Sequence, residues 1–227
     1  MMTSEMKMMK FQSKLHEVGL LQARSMIEIK LEPMLFSASL DFAMENGGAI
    51  TKEFIGKLPM AFRDDPTACM DSRVHMLMPG WFPCIPGWHH DDVPRNTHNG
   101  QPNYIDPPYK STHVMALVNG DIAPTQFLVG EVEVPKPKEG SSIYKQWDDY
   151  IETQRTNIKS DELRFRTISV VDRMMYQFDC DTFHRGTMAI KDGWRWFGRV
   201  SIGRKKRATG EIRSQVQVYL PTINAGW

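Results

Sequence analysis

The sequence predicts a mainly β protein, an antiparallel sandwich or barrel with flanking helices, and three observations carry that expectation. From Arg73 onward the apolar residues fall in short runs broken by Gly, Pro, Asp and Asn. That punctuation belongs to many short strands rather than to a parallel α/β sheet. Roughly the first 60 residues instead mix helical and strand patterns. One longer stretch of helical composition, SIYKQWDDYIETQRTN, interrupts the strands.

Taken in order, SEMKMMKFQSKLHEV has the composition of a helix and RSMIEIKLEP alternates like a strand. PMLFSASLDFAMENGG reads as a helix stopped by its glycines, and TKEFIGKLP adds a short second one. Strands are predicted over RVHMLMPGW, THVMALVNGD, TQFLVGEVEVP, FRTISVVD, RMMYQFD, WRWFGRVSIG and SQVQVYLP. NTHNGQPNYIDPPYKS, rich in Pro and Asn, is a predicted loop. The chain reads as one domain over 1–227, with an N-terminal helical and strand extension over 1–70 and a β core over 71–221. The helices need a partner surface and are expected on the outside of one sheet.

Composition narrows the function classes. At 227 residues, 41% apolar and 24% charged, the chain can bury a core without disulfide staples. A formal net charge of +1 gives the molecule no strong pull on nucleic acid or membrane. The basic run GRKKR at 203–207 reads as a solvated turn. No apolar run reaches the length of a membrane span, and the N-terminus lacks a signal-peptide core. Cys69, Cys84 and Cys180 form no CxxC pair and are odd in number, which fits a reducing cytoplasm better than a disulfide scaffold. Cys84 reads as a buried bystander.

The chemistry concentrates in PGWHHDDVP at 86–94. On extended backbone alternate side chains share a face, so His89 with Asp91, or His90 with Asp92, can aim at one ion. His184, far downstream in FHRG, supplies a second imidazole. Two histidines and one carboxylate leave three coordination positions open, the arrangement expected of non-haem Fe(II) oxygenases. His16 and His98 read as structural or surface histidines. On the strand after His184, Arg195 and Arg199 alternate onto one face together with Ser201. An arginine there suits the far carboxylate of a dicarboxylate cosubstrate, because its planar fork pairs with two oxygens at once. Lys191 is a weaker candidate. Trp194, Trp196 and Phe197 read as core rather than as a stacking platform for nucleic acid.

GWHHD, APTQFLVG, FHRG and RVS occur in the order of a known motif set. Over roughly residues 73–202 the chain resembles the Fe(II)- and 2-oxoglutarate-dependent dioxygenases, especially the phytanoyl-CoA-hydroxylase-like branch. It departs from that pattern after Phe127, with VGEVEVPK in place of a Pro–Gly–Ser–His turn. The resemblance implies a double-stranded β-helix, or jelly-roll, with a metal near one mouth. It also implies Fe(II), 2-oxoglutarate and O2 as the reacting set, with release of succinate and CO2. Since the family places a tryptophan before its metal histidine, Trp88 selects His89 and Asp91 with His184, leaving His90 and Asp92 facing the entrance or solvent. Arg199 is the expected anchor for the cosubstrate, assisted by Ser201, with Arg195 as the alternative. Thr125 is carried over as a cosubstrate-pocket residue, and Gln126 stands beside it.

Two other classes compete: a jelly-roll binding or structural module without catalysis, and a cupin-type metalloenzyme that does not use 2-oxoglutarate. Nucleic acid as substrate has only GRKKR and the aromatics behind it, so a small molecule is favoured. The substrate pocket is expected to come from the N-terminal helices, the loop at 96–110 and the inserted helix, all outside the motifs.

Overall fold

The structure is a computed structural model that describes residues 7–95, 100–137, 142–204 and 208–220. Its elements run β1 (Met8–Ser13), β2 (His16–Leu20), α1 (Met26–Leu31), β3 (Leu35–Phe36), α2 (Leu40–Asn46), α3 (Ala49–Gly56), α4 (Met60–Arg63), β4 (Cys69–Leu77), β5 (Thr112–Val118) and β6 (Thr125–Pro135). They continue through α5 (Ile143–Asn157), β7 (Phe165–Ser169), β8 (Met174–Asp179), β9 (His184–Gly186), β10 (Gly193–Ile202) and β11 (Glu211–Ile212). The fold is mainly β, as expected, and its strands pair antiparallel. One sheet has the order β2-β8-β5-β10-β4. The other runs β1-β6-β7, with β9 also paired to β6. A two-stranded ribbon joins β11 to β3.

Alternation along β10 shows how the larger sheet divides its residues. Trp196 and Val200 enter a core with Ile29, Ala43, Ile50, Phe54 and Phe62 from α1 to α4. These helices therefore cover one face of the sheet, as the pattern predicted. Arg195, Phe197, Arg199 and Ser201 turn to the opposite face. There Phe178 of β8 meets Phe127 of β6 at 4.9 Å, so the two sheets share an aromatic contact. On the other side of β6, Leu128, Val132 and Val134 pack with Ile143, Trp147 and Ile151 of α5.

Three segments differ from expectation. The helical composition of 4–18 gives two strands over its described part, because β1 lies along β6 from Met8↔Pro135 to Ser13↔Gly130 and buries Phe11. Tertiary pairing outweighs a weak local propensity there. RSMIEIKLEP forms α1 rather than a strand: Ser25 caps it, and Glu28 completes a reciprocal capping box. Its alternating Ile27 and Leu31 are exposed. Ser214–Leu220 forms no strand; only Tyr219 bridges to Phe82. His98 and 205–207 of GRKKR lie outside the described residues. No helix among the described residues is long and apolar enough to cross a membrane.

The helical layer depends on one buried carboxylate. Glu32, 6% exposed, accepts the backbone N–H groups of Ile50 at 3.2 Å and Thr51 at 2.8 Å. These are first-turn donors of α3 that have no partner within the helix. Glu32→Ala removes two charge-assisted bonds and is expected to cost about 2–3 kcal/mol. Chemical denaturation checks this, with Glu32→Gln falling between the variant and the wild type.

Candidate metal centre

Two backbone hydrogen bonds build the site. His89 N–H donates to the His184 carbonyl at 3.0 Å, and His184 N–H donates to the His89 carbonyl at 3.1 Å. Residues that exchange both bonds stand directly opposite and turn their side chains to the same face. The two imidazoles accordingly lie 4.5 Å apart between ring centroids. β9 is held in turn by β6, through His184↔Phe127. The close approach also requires Gly186, where a Cβ would sit 2.6 Å from the Cys84 sulfur.

Each imidazole is oriented by a carbonyl. His89 Nδ1 lies 2.8 Å from the Gly87 oxygen and His184 Nδ1 lies 3.0 Å from the Thr182 oxygen. A carbonyl can only accept, so Nδ1 carries the proton and Nε2 presents its lone pair. Asp91, two residues past His89, closes the group: its carboxylate is 3.8 Å from His89 Nε2 and 3.3 Å from His184 Nε2. The three ligand atoms lie within 4.8 Å of one another. Such a set could hold a divalent first-row metal, with outer partners fixing both rings. Among the described residues it is the one group of three or more such side chains that does so.

The protonation states of His89 and Asp91 are those a metal ligand needs. Burial, reinforced by His184, pushes His89 down to about 4, so it is neutral and able to ligate at neutral pH. Burial opposes the charge of Asp91, but Arg199 and the two imidazoles outweigh it and hold the carboxyl well below its usual range. Arg199 hydrogen-bonds Asp91 directly and stands 3.4 Å from Asp92 and 3.9 Å from Asp71. Arg204 adds pairs to Asp92 at 3.3 Å and Asp71 at 3.8 Å. Asp92 itself has φ 54, a left-handed turn that ends the extended backbone.

The alternative register is turned elsewhere. His90 is not at the entrance; it is buried among Phe11, Tyr104, Trp147 and Phe183, with Nδ1 2.9 Å from the Tyr104 hydroxyl. Asp92 is engaged by the two arginines rather than released to solvent. A cavity of about 170 Å³ opens at the metal group, lined also by Thr125, Arg73, Cys84, Phe178, Arg199 and Tyr219. Thr125 and Cys84 are thus both walls of this cavity. Gln126 faces away and accepts from Arg185 at 3.0 Å. Lys191 pairs with Asp121 at 2.7 Å on the surface. Ser201 is buried against Nδ1 of His113 at 2.8 Å. Arg195 is 2% exposed, and its Nε has no partner.

Sequence reasoning missed Arg73, which faces the site only because β4 pairs with β10 in the register Arg73↔Phe197. It also missed the acidic side of α5. Asp148 accepts the Trp88 backbone N–H at 2.7 Å, and Glu152 accepts the Trp88 indole N–H at 2.6 Å. The i,i+4 spacing of two acids was the available signal.

The geometry predicts that Ala at 89, 91 or 184 each reduces Mn(II) or Co(II) affinity by at least about tenfold. His90→Ala should retain the metal and lose thermal stability instead. Calorimetric titration and melting curves separate the two classes of variant. A second expectation concerns acid. Burial, Arg195 and Arg73 push His75 down to about 3, so between pH 6.5 and 3 only the unfolded chain takes up its proton. The stability associated with a neutral His75 is thus complete above pH 6.5 and declines as pH falls. In metal-free protein, His75→Gln should flatten the decline by about 1 kcal/mol per pH unit, read from denaturation midpoints.

No known protein family, curated protein or solved structure matches the chain.

Proposed function

We propose that this chain is a non-haem Fe(II)- and 2-oxoglutarate-dependent oxygenase built on a double-stranded β-helix, hydroxylating a small-molecule substrate with release of succinate and CO2. The observation that carries the reading is the group His89, Asp91 and His184, preset with both Nε2 atoms and a carboxylate turned to one point at a cavity that Arg73 also lines. The bound iron would supply the activation of O2. This chain's own residues hold three ligand positions, leave the cavity side free for cosubstrate and O2, and shield the centre with Phe178, Met115 and Phe197.

In this reading the carboxylate anchor is not Arg199, the residue that the resemblance points to. Arg199 is already matched by Asp91, Asp92 and Asp71, so its role in this reading is to orient Asp91. Arg73 lines the cavity and Arg195 lies behind it on the same sheet face. Among the described residues neither is paired with a carboxylate, which leaves both charges available to the far carboxylate of 2-oxoglutarate. Thr125 adds a hydroxyl at the wall. A cupin-type centre with three histidines has less support, because the nearby His113 is bonded to Ser201 outside the metal group.

The test is succinate formation from 2-oxoglutarate by protein supplied with Fe(II) and ascorbate, against Asp91→Ala. Arg73→Ala and Arg195→Ala are expected to raise the 2-oxoglutarate requirement about 10- to 100-fold, the loss of one or two charge-assisted bonds, while iron uptake is kept. Arg199→Ala should weaken iron uptake instead. Iron binding without succinate would favour a metalloenzyme of another kind, and failure to bind iron would favour a non-catalytic module.

A further inference from the structure

The two ligand-bearing segments are tied together a second time, outside the metal group, and the tie is a single carboxylate on α5. Glu152 Oε1 accepts the indole N–H of Trp88 at 2.6 Å and a guanidinium N–H of Arg185 at 2.9 Å. Trp88 immediately precedes His89, and Arg185 immediately follows His184. The Arg185 guanidinium also stacks over the Trp88 ring at 4.3 Å. Arg155, one turn along the helix, braces the same oxygen at 2.6 Å. Asp148, on the same flank of α5, takes the Trp88 backbone N–H at 2.7 Å. Gly87 permits that approach, since a Cβ there would lie 3.2 Å from the Asp148 carboxylate.

The helix is well placed to act as a fixed post. Ile143, Trp147 and Ile151 are buried against Trp88, Phe183 and the outer face of β6. The Trp147 indole donates to the Pro135 carbonyl at 2.8 Å. The apolar stripe fixes the rotation of α5, and that rotation aims Asp148 and Glu152 at the Trp88 segment. Trp88 is itself wholly buried, so its N–H groups would be costly to leave without partners.

We propose that Glu152 is a positioning residue for the metal centre: it clamps Trp88 to Arg185 and thereby sets the separation and tilt of the His89 and His184 imidazoles. This rests on the metal reading of His89, Asp91 and His184. The backbone bridge between the histidines fixes which faces they share. The clamp fixes how the two short segments pivot about that bridge, since each histidine has a clamped neighbour. A ligand pair needs placement within a fraction of an ångström, which one pair of backbone bonds does not enforce alone.

Co(II) tests the clamp, because its visible d–d bands report ligand geometry without any turnover. Wild-type protein is expected to bind Co(II). Glu152→Ala should raise the Co(II) dissociation constant about tenfold, the lower end of the effect of outer-shell partners, and should shift the d–d bands. Glu152→Gln keeps an acceptor for the Trp88 indole but loses the charged pair with Arg185, and should fall between. Gln154→Ala is the control for helix docking alone, since Gln154 donates to the Glu133 carbonyl at 3.2 Å on another part of α5. It should lower the melting temperature and leave the bands unchanged. Wild-type affinity and bands in Glu152→Ala would overturn the clamp while leaving the metal reading intact. Equal band shifts in Gln154→Ala would reduce Glu152 to general support of the helix and overturn it as well. A wild-type protein that takes no Co(II) would overturn the metal reading, and the clamp with it.

Discussion

The site depends on the pair of backbone hydrogen bonds between His89 and His184, residues far apart in the chain. A bridge of this kind specifies direction as well as proximity. Shifting either segment by one residue would send one imidazole to the opposite face. In such a shift His90 would leave its aromatic nest and Phe183 would leave the core of α5, so the register is defended by packing on both sides. The metal group is therefore a by-product of a register that the hydrophobic core enforces. Asp91 joins it by alternation along the same segment, and the left-handed turn at Asp92 then diverts the chain.

Charge is arranged around that geometry in two layers. Burial disfavours a charge on His89, and the neighbouring His184 adds to that, so His89 is a neutral donor. A carboxylate in the same place needs compensation, and Arg199 supplies it. Arg199 reaches Asp91 only because β10 pairs with β4, which also sets Asp71 opposite it. The result is a network in which Asp71, Asp91 and Asp92 share Arg199 and Arg204. The Arg199 hydrogen bond also fixes the direction in which the Asp91 carboxylate faces the two imidazoles.

What the sequence made legible follows from how local each signal is. A His–x–Asp on extended backbone and a distant histidine are local signals of a metal group. The residues alone left His89 with Asp91 and His90 with Asp92 both open, and only the family resemblance, through Trp88, chose the first. The strands with long apolar alternation, β4, β5, β6, β8 and β10, were legible because alternation is also a local signal. β1 was not, because what makes Met8–Ser13 a strand is β6, more than a hundred residues away. α1 was misread although its capping box, Ser25 with Glu28, stood in the sequence; the alternation of Ile27, Ile29 and Leu31 masked it, and only Ile29 is buried. The pairing of Arg199 with three aspartates was not legible either. Periodicity placed Arg195 and Arg199 on one face, but which of them meets three aspartates is decided by the neighbouring strand and by the loop after β4.

The unequal state of those arginines gives the cavity a direction. At the metal end, Arg199 is neutralised by acids, and the lone pairs of two imidazoles and a carboxylate point inward. Further along, Arg73 and Arg195 carry charge that no acid among the described residues answers, and burial and Arg73 hold Arg195 down to about 10 despite Cys84 nearby. Arg195 is buried and Arg73 half-buried, and neighbouring guanidiniums without a counter-ion are costly there, a cost that falls when an anion enters. A ligand with an electron-rich chelating end and a distant carboxylate satisfies both ends at once, in one orientation only. A neutral ligand, or one with a single carboxylate near its chelating atoms, leaves the cationic end uncompensated. In the oxygenase reading, then, discrimination among acids arises from the far end of the cavity, and the metal group contributes reactivity rather than selectivity.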